Sequence, residues 1–219
     1  FGREADEALK WATVCVEHCT KHERVQERLW VTAVIGWAMA ERGEPEKGMA
    51  VLQQSLEVMR SRRAEIITPH LLAMLAEAQK NAGLIEEALA SVSEGIEVLS
   101  RTGEHWCESY LYSLKGDLLL ASAAGSCSPQ EAEGSYRKAI EIARRQSAKS
   151  FELRATTGLS SLLQQQGRHE EARSMLSGVY GWFSEGFDVP DLKEAKALLD
   201  AAEDSPLYAY IVISLLTGA

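Results

Sequence analysis

Apolar residues recur at i, i+3, i+4 and i+7 along LWVTAVIGWAMAE, PHLLAMLAEAQKN, ESYLYSLKGDLLLA and LRATTGLSSLLQQQ. That spacing draws one apolar stripe down each helix, the stripe a packed helix buries. Three of these stretches run through a short polar turn into a second amphipathic stretch. The continuations are RGEPEKGMAVLQQSLEVM, NAGLIEEALASVSEGIEVL and QQGRHEEARSMLSGVYGWF. A fourth continuation, SPQEAEGSYRKAIEIARRQ, follows a longer turn at 121–130, and a half unit, READEALKWATVCVEH, opens the chain. The pattern predicts helices near 4–21, 24–41, 45–61, 66–81, 85–101, 105–122, 129–147, 150–166 and 169–184. A terminal helix near 190–203 is signalled by Asp188 and Pro190 ahead of an Ala/Leu/Lys-rich run.

The stretches are in register with one another. Turn glycines fall at Gly43, Gly83 and Gly167, and small residues at Ala8, Gly48, Ala88, Ala132 and Ala172 step by 40, 40, 44 and 40. A second small position, Gly36, Ala76, Gly116 and Ser160, precedes each turn. Small side chains at both places allow two helix backbones to approach closely. The unit is therefore helix A, a tight turn, helix B, and a link to the next A. Units that each leave an apolar face uncovered must stack to bury it.

This arrangement resembles the tetratricopeptide repeat, whose signature has small residues at these two crossings, a turn glycine and a large residue beyond. Leu52, Val92, Tyr136 and Leu176 fill that last place. The period of 40 to 44 exceeds the 34 residues of the family, so the helices should be about a turn longer. The resemblance implies an all-α fold: a right-handed α-solenoid of tetratricopeptide-like helix pairs with a C-terminal capping helix. The expected layout is one repeat domain over 1–204. It comprises a half repeat 4–21, repeats 24–61, 66–101, 105–147 and 150–184, and a cap at 190–203. Trp182, Phe183 and Phe187 are expected beneath the cap. The apolar tail 205–219 follows no repeat pattern. The stretch 167–200 is similar to the C-terminal end of bacterial regulators that join a nucleotide-cyclase or DNA-binding domain, an ATPase and a repeat array. That likeness implies a regulatory region of a larger signalling ATPase.

Composition agrees with the helical reading, because Ala, Leu and Glu are the commonest residues and only five residues are Pro. With 23 Lys plus Arg against 32 Asp plus Glu, the net charge is −9. A nucleic-acid binder needs a basic face to neutralise phosphate. The short basic runs at Arg60, Arg62, Arg63 and at Arg144, Arg145 are flanked by acids and read as solvated helix ends. No apolar run reaches the length of a membrane span. Nucleic acid and membrane are therefore excluded as expected partners. Opening at Phe1 without a Met or a signal peptide, the chain is read as a cytoplasmic piece of a longer protein.

Two clusters invite catalytic chemistry. Cys15, His18, Cys19 and His22 share one helix face, and thiolate with imidazole suits zinc. The outer pair is roughly 10 Å apart along the axis, too far for one ion; Cys15 is expected as a buried core thiol instead. His105 and Cys107 invite a Cys–His nucleophile, but adjacent residues at a helix start do not face each other. No P-loop, HExxH or GxSxG appears. Acid pairs such as Glu86, Glu87 and Glu170, Glu171 follow the turns, where the helix dipole favours them. No catalytic residue, metal or cofactor is assigned. The alternative is a fragment of an enzyme with a cryptic Cys/His metal or thiol site.

A non-catalytic interaction or sensor module has better candidates. The A helices should line a concave surface, with Trp30, His70, Tyr110 and Arg154 in one row. A second row is Trp37, Glu77, Asp117 and Ser161, and a third is Glu41, Asn81, Ala121 and Gln165. Aromatic and Arg side chains of this kind make interface hot spots. Packing of Trp30 and Trp37 against helix 4–21 is an equal reading. The places that hold Lys, Asn and Arg in carboxylate-clamp relatives hold Ala33, Trp37, Met74, Tyr110 and Leu114 here, so a clamp for a chaperone tail is not expected. The expected partner is a protein or peptide segment, or the ATPase domain of the full-length protein. Self-association into a homo-oligomer is a third reading.

Overall fold

The computed structural model describes residues 5–63, 65–122 and 128–203. Among them are ten α-helices and no strand: α1 (Ala5–Lys21), α2 (Val25–Glu41), α3 (Pro45–Ser61), α4 (Thr68–Asn81), α5 (Ile85–Thr102), α6 (Glu108–Ala121), α7 (Pro129–Arg145), α8 (Lys149–Gln165), α9 (His169–Tyr180) and α10 (Pro190–Glu203). The class is all-α, built from tetratricopeptide-like helix pairs. The apolar tail 205–219 lies outside the described residues, as does Cys127 in the long turn. Two compact units divide the chain between Ser135 and Tyr136, inside α7.

In the first unit, α1 packs on α2, α2 pairs with α3, and α4 pairs with α5; α2 also meets α4, and α4 meets α6. Proline supplies the pre-set φ at the first turn of α3 and of α4. Gly43 and Gly83 close the A-to-B turns at φ +88° and +78°, a region that costs glycine nothing. The core gathers Ala33, Trp37, Leu52, Leu56, Met59, Leu71 and Leu72, with Ala5, Ala8 and Leu9 of α1 packed against it. Each fully buried leucine contributes about 1.5–3 kcal/mol relative to exposure. The α2–α3 crossing is close: a Cβ on Gly36 would meet the Gly48 carbonyl oxygen at 2.9 Å and Leu52 Cγ at 3.0 Å.

In the second unit, α8 pairs with α9, and α10 packs on both. Leu153, Leu176, Val179, Leu192 and Ala195 form its core, with Tyr180, Phe183 and Leu198 against it. Ser160 Oγ donates to the Ala172 carbonyl across the crossing. Gly158 makes room for the Tyr136 ring, which a Cβ there would meet at 2.6 Å. Arg154 Nη2 bonds Asp191 of α10 at 3.1 Å, and Gln164 reaches the Leu198 carbonyl at 3.2 Å.

Several expectations need correcting. Helix α4 begins at 68 rather than 66, and α6 at 108 rather than 105. Helix α9 stops at Tyr180, so the aromatics beyond it leave the helix: Phe183 packs under the cap, while Trp182 and Phe187 are exposed. Cys15 is exposed and Cys19 is the buried thiol.

Candidate functional site

The N-terminal halves of the A helices and the link before α6 bring four aromatic rings together in the first unit. His70, at the start of α4, is the hub. Its ring centroid lies 6.4 Å from Trp30 of α2 at 79°, 6.2 Å from Tyr110 of α6, and 5.0 Å from Trp106 in the link before α6. Edge-on and tilted pairs at these separations each add about 0.5–1.5 kcal/mol beyond area burial. His70 and Tyr110 are buried, whereas Trp30 keeps 38% of its surface exposed. Burial lowers the His70 pKa to about 4, because desolvation penalises the imidazolium. Trp106 joins the cluster although the register gave it no role; it lies outside helix α6, where helical periodicity carries no information.

The second row is a ladder rather than an open surface. Trp37 is buried, and its indole N–H donates to Glu77 Oε2 at 2.6 Å. In the third row, Asn81 donates to Glu41 at 2.8 Å, the same forty-residue step. Lys80 approaches Asp117 at 3.6 Å. The small residues between the rows, Ala33, Ala73 and Ser113, are buried where the A helices meet. Arg154 and Gln165 belong to the second unit. Arg154 is ion-paired to Asp191, and Gln165 is exposed at the end of α8.

The thiol and imidazole candidates separate. Cys107 is fully buried, and burial pushes its thiol up to about 12, so it is protonated at neutral pH. His105 Nδ1 engages Glu108 Oε2 at 3.0 Å. His18 on α1 and His22 in the turn just after it lie exposed with ring centroids 4.4 Å apart. Among the described residues, no group of three or more His, Cys, Asp or Glu side chains converges to hold a metal ion.

The basic run at the end of α7 has a structural use. Glu152, 3% exposed, accepts Arg144 Nε at 2.7 Å and Lys149 Nζ at 2.6 Å. Burial raises its pKa, but these two hydrogen bonds outweigh that and hold the carboxyl below its ordinary value. No described helix is long and apolar enough to cross a membrane.

Known proteins match this architecture. A tetratricopeptide repeat model matches residues 153–177, the A and B segments on either side of Gly167. No curated protein sequence is similar to the chain. Among solved structures, BtubC (BKLC) from P. vanneervenii aligns over 91% of this chain and 83% of its own, with 17% identity and a TM-score of 0.67. The nearly identical TPR-like repeats of a Podosopora anserina protein assigned as a kinesin light chain align over 92% and 90%, with 17% identity and a TM-score of 0.52. A singly substituted form of those repeats gives 19% identity over 81% and 86%, with a TM-score of 0.55. Matching helix pairs and a matching repeat model agree on one conclusion: the chain has the tetratricopeptide-like fold.

Proposed function

We propose that the chain is a non-catalytic interaction module that engages a partner protein segment on the A-helix face. The observation that carries this is Trp30, a large aromatic left partly exposed on a rigid base of buried His70 and Tyr110. Preorganised aromatic anchors of this kind dominate binding energy. Trp37, Glu77 and Asp117 brace the same face in the first unit. In the second unit Arg154 and Gln165 are the corresponding candidates. The sequence likeness of 167–200 supports a finer reading, in which the module is the regulatory repeat region of a larger bacterial signalling ATPase.

Panning the purified chain against a displayed library of random twelve-residue peptides tests this reading. Peptides that bind should lose roughly thirtyfold in affinity with Trp30→Ala, a loss of about 2 kcal/mol. Glu97→Ala, exposed on α5, should leave binding within about twofold. Failure to select any binder, or loss with Glu97→Ala but not with Trp30→Ala, overturns the reading.

A further inference from the structure

A cavity of about 500 Å³ opens in the first unit between the start of α2, the end of α3 and the link to α4. Its volume falls in the range of small-molecule sites. It extends away from the inner A-helix rows, with which it shares Trp30, because Arg62, Arg63, Ile66 and Ile67 from the α3–α4 link form its other side. The apolar floor and wall are Trp30, Met59, Ile66 and Ile67. Ile66 is 61% exposed, an apolar side chain left facing water at the mouth.

Charge decides what fits. Two acids and two arginines line the cavity, so its formal charge balances. Both acids are already engaged by cations from outside the lining set: Glu27 by Arg24 at 2.9 Å, and Glu65 by Arg101 at 2.8 Å. Neither Arg62 nor Arg63 forms an ion pair with a described residue. The negative end of α3 accounts for cations at that place, yet it leaves their planar donor forks available. Guanidinium forks match carboxylates bidentately. In a chain of net charge −9, two uncompensated cations beside an exposed indole are selective for an anion with an apolar body.

We infer that this cavity binds a small organic carboxylate, its apolar body on Trp30 and Ile66 and its carboxylate on Arg62 and Arg63. This goes beyond the partner reading: the two share Trp30, but this one rests on the cavity and on Arg62 and Arg63, which the partner reading does not use.

The test uses indole-3-acetate, 4-phenylbutyrate and octanoate, each with its neutral amide, titrated into the full chain and followed by amide chemical shifts. At least one acid should bind at millimolar concentration or tighter, with shifts confined to residues 26–30 and 59–67, and its amide should bind at least tenfold more weakly. The Arg62→Gln, Arg63→Gln double variant should weaken the acid at least tenfold. Lys193→Gln, exposed in the second unit, should leave it unchanged. No binding by any of the three acids, equal binding of acid and amide, or shifts elsewhere would each overturn the assignment. Should the double variant fail to fold, Trp30→Ala, which removes the indole wall, must give the same weakening.

Discussion

The indole N–H of Trp37 donates a 2.6 Å hydrogen bond to the carboxylate of Glu77, forty residues further along the chain. The two residues hold the same register position on successive A helices, so the bond ties one repeat to the next. A hydrogen bond to a charged group is worth about 1.5–3 kcal/mol, and more is lost when a shielded partner is stranded. Trp37→Phe should therefore cost about that much in urea unfolding, while Glu77→Gln, which keeps an acceptor, should cost less. A double-mutant cycle with Glu77→Ala should return a coupling of at least about 1 kcal/mol. A coupling near zero would mean that the ladder does not bind repeats together.

The α2–α3 crossing and the exposed face of α7 predict two glycine substitutions of opposite sign. A Cβ on Gly48 would press inside contact distance on the Gly36 carbonyl oxygen and meet Ala40 Cβ at 2.9 Å, both fixed parts of α2. Gly48→Ala should destabilise by about 1–3 kcal/mol, as overpacking does. Gly134, exposed within α7, has nothing within 4 Å of the same construction. Gly134→Ala should stabilise by about 0.5–1 kcal/mol, since only the entropy of the unfolded chain changes. Thermal unfolding of the two variants, side by side, checks the signs.

His70 makes stability depend on pH. Its pKa in the folded chain is about 4 against an ordinary value of 6.5, because burial disfavours the imidazolium. Between those values the unfolded chain binds a proton that the folded chain does not. Stability contributed by neutral His70 is therefore complete above about pH 6.5 and declines as pH falls toward 4. The loss is on the order of 3 kcal/mol. His70→Phe, which keeps an aromatic among Trp30, Trp106 and Tyr110, should flatten the urea-unfolding profile across that pH window. An unchanged slope would place the titration elsewhere.

Periodicity made the helices legible because burial repeats with the helix turn. The glycines at 43, 83 and 167 marked the A-to-B turns because the left-handed region favours them. Periodicity reports which face meets a neighbour, however, and not whether that face stays open. His70 and Trp37 were readable as inward-facing, but their burial and the Trp37–Glu77 bond depend on how closely α2 and α4 approach. Cys15 and Cys19 differ by one helical turn, and the stripe alone could not choose between them. The cavity at Arg62 and Arg63 was invisible for another reason. Its wall is an irregular link, where side-chain direction follows φ and ψ rather than a period.

The same kind of link recurs along the chain. Each of four B-to-A connections places one residue at positive φ: Glu23 at 54°, Arg63 at 54°, Gly103 at 72° and Ser147 at 56°. These positions step by the repeat period, yet only one is glycine, which is why the sequence hid them. A non-glycine residue in the left-handed region costs roughly 1–2 kcal/mol, partly offset because glycine is costlier to order. Ser147 is exposed, so Ser147→Gly should raise stability by about 0.5–1 kcal/mol. Gly103 has nothing within 4 Å of a built Cβ, so Gly103→Ala should lower stability by about 1 kcal/mol through conformation alone. In a chain of this size, a change of about 1 kcal/mol moves the midpoint by roughly 2–4 °C, which scanning calorimetry resolves. If Ser147→Gly lowers the midpoint as much as Gly103→Ala does, the left-handed register of the links is wrong.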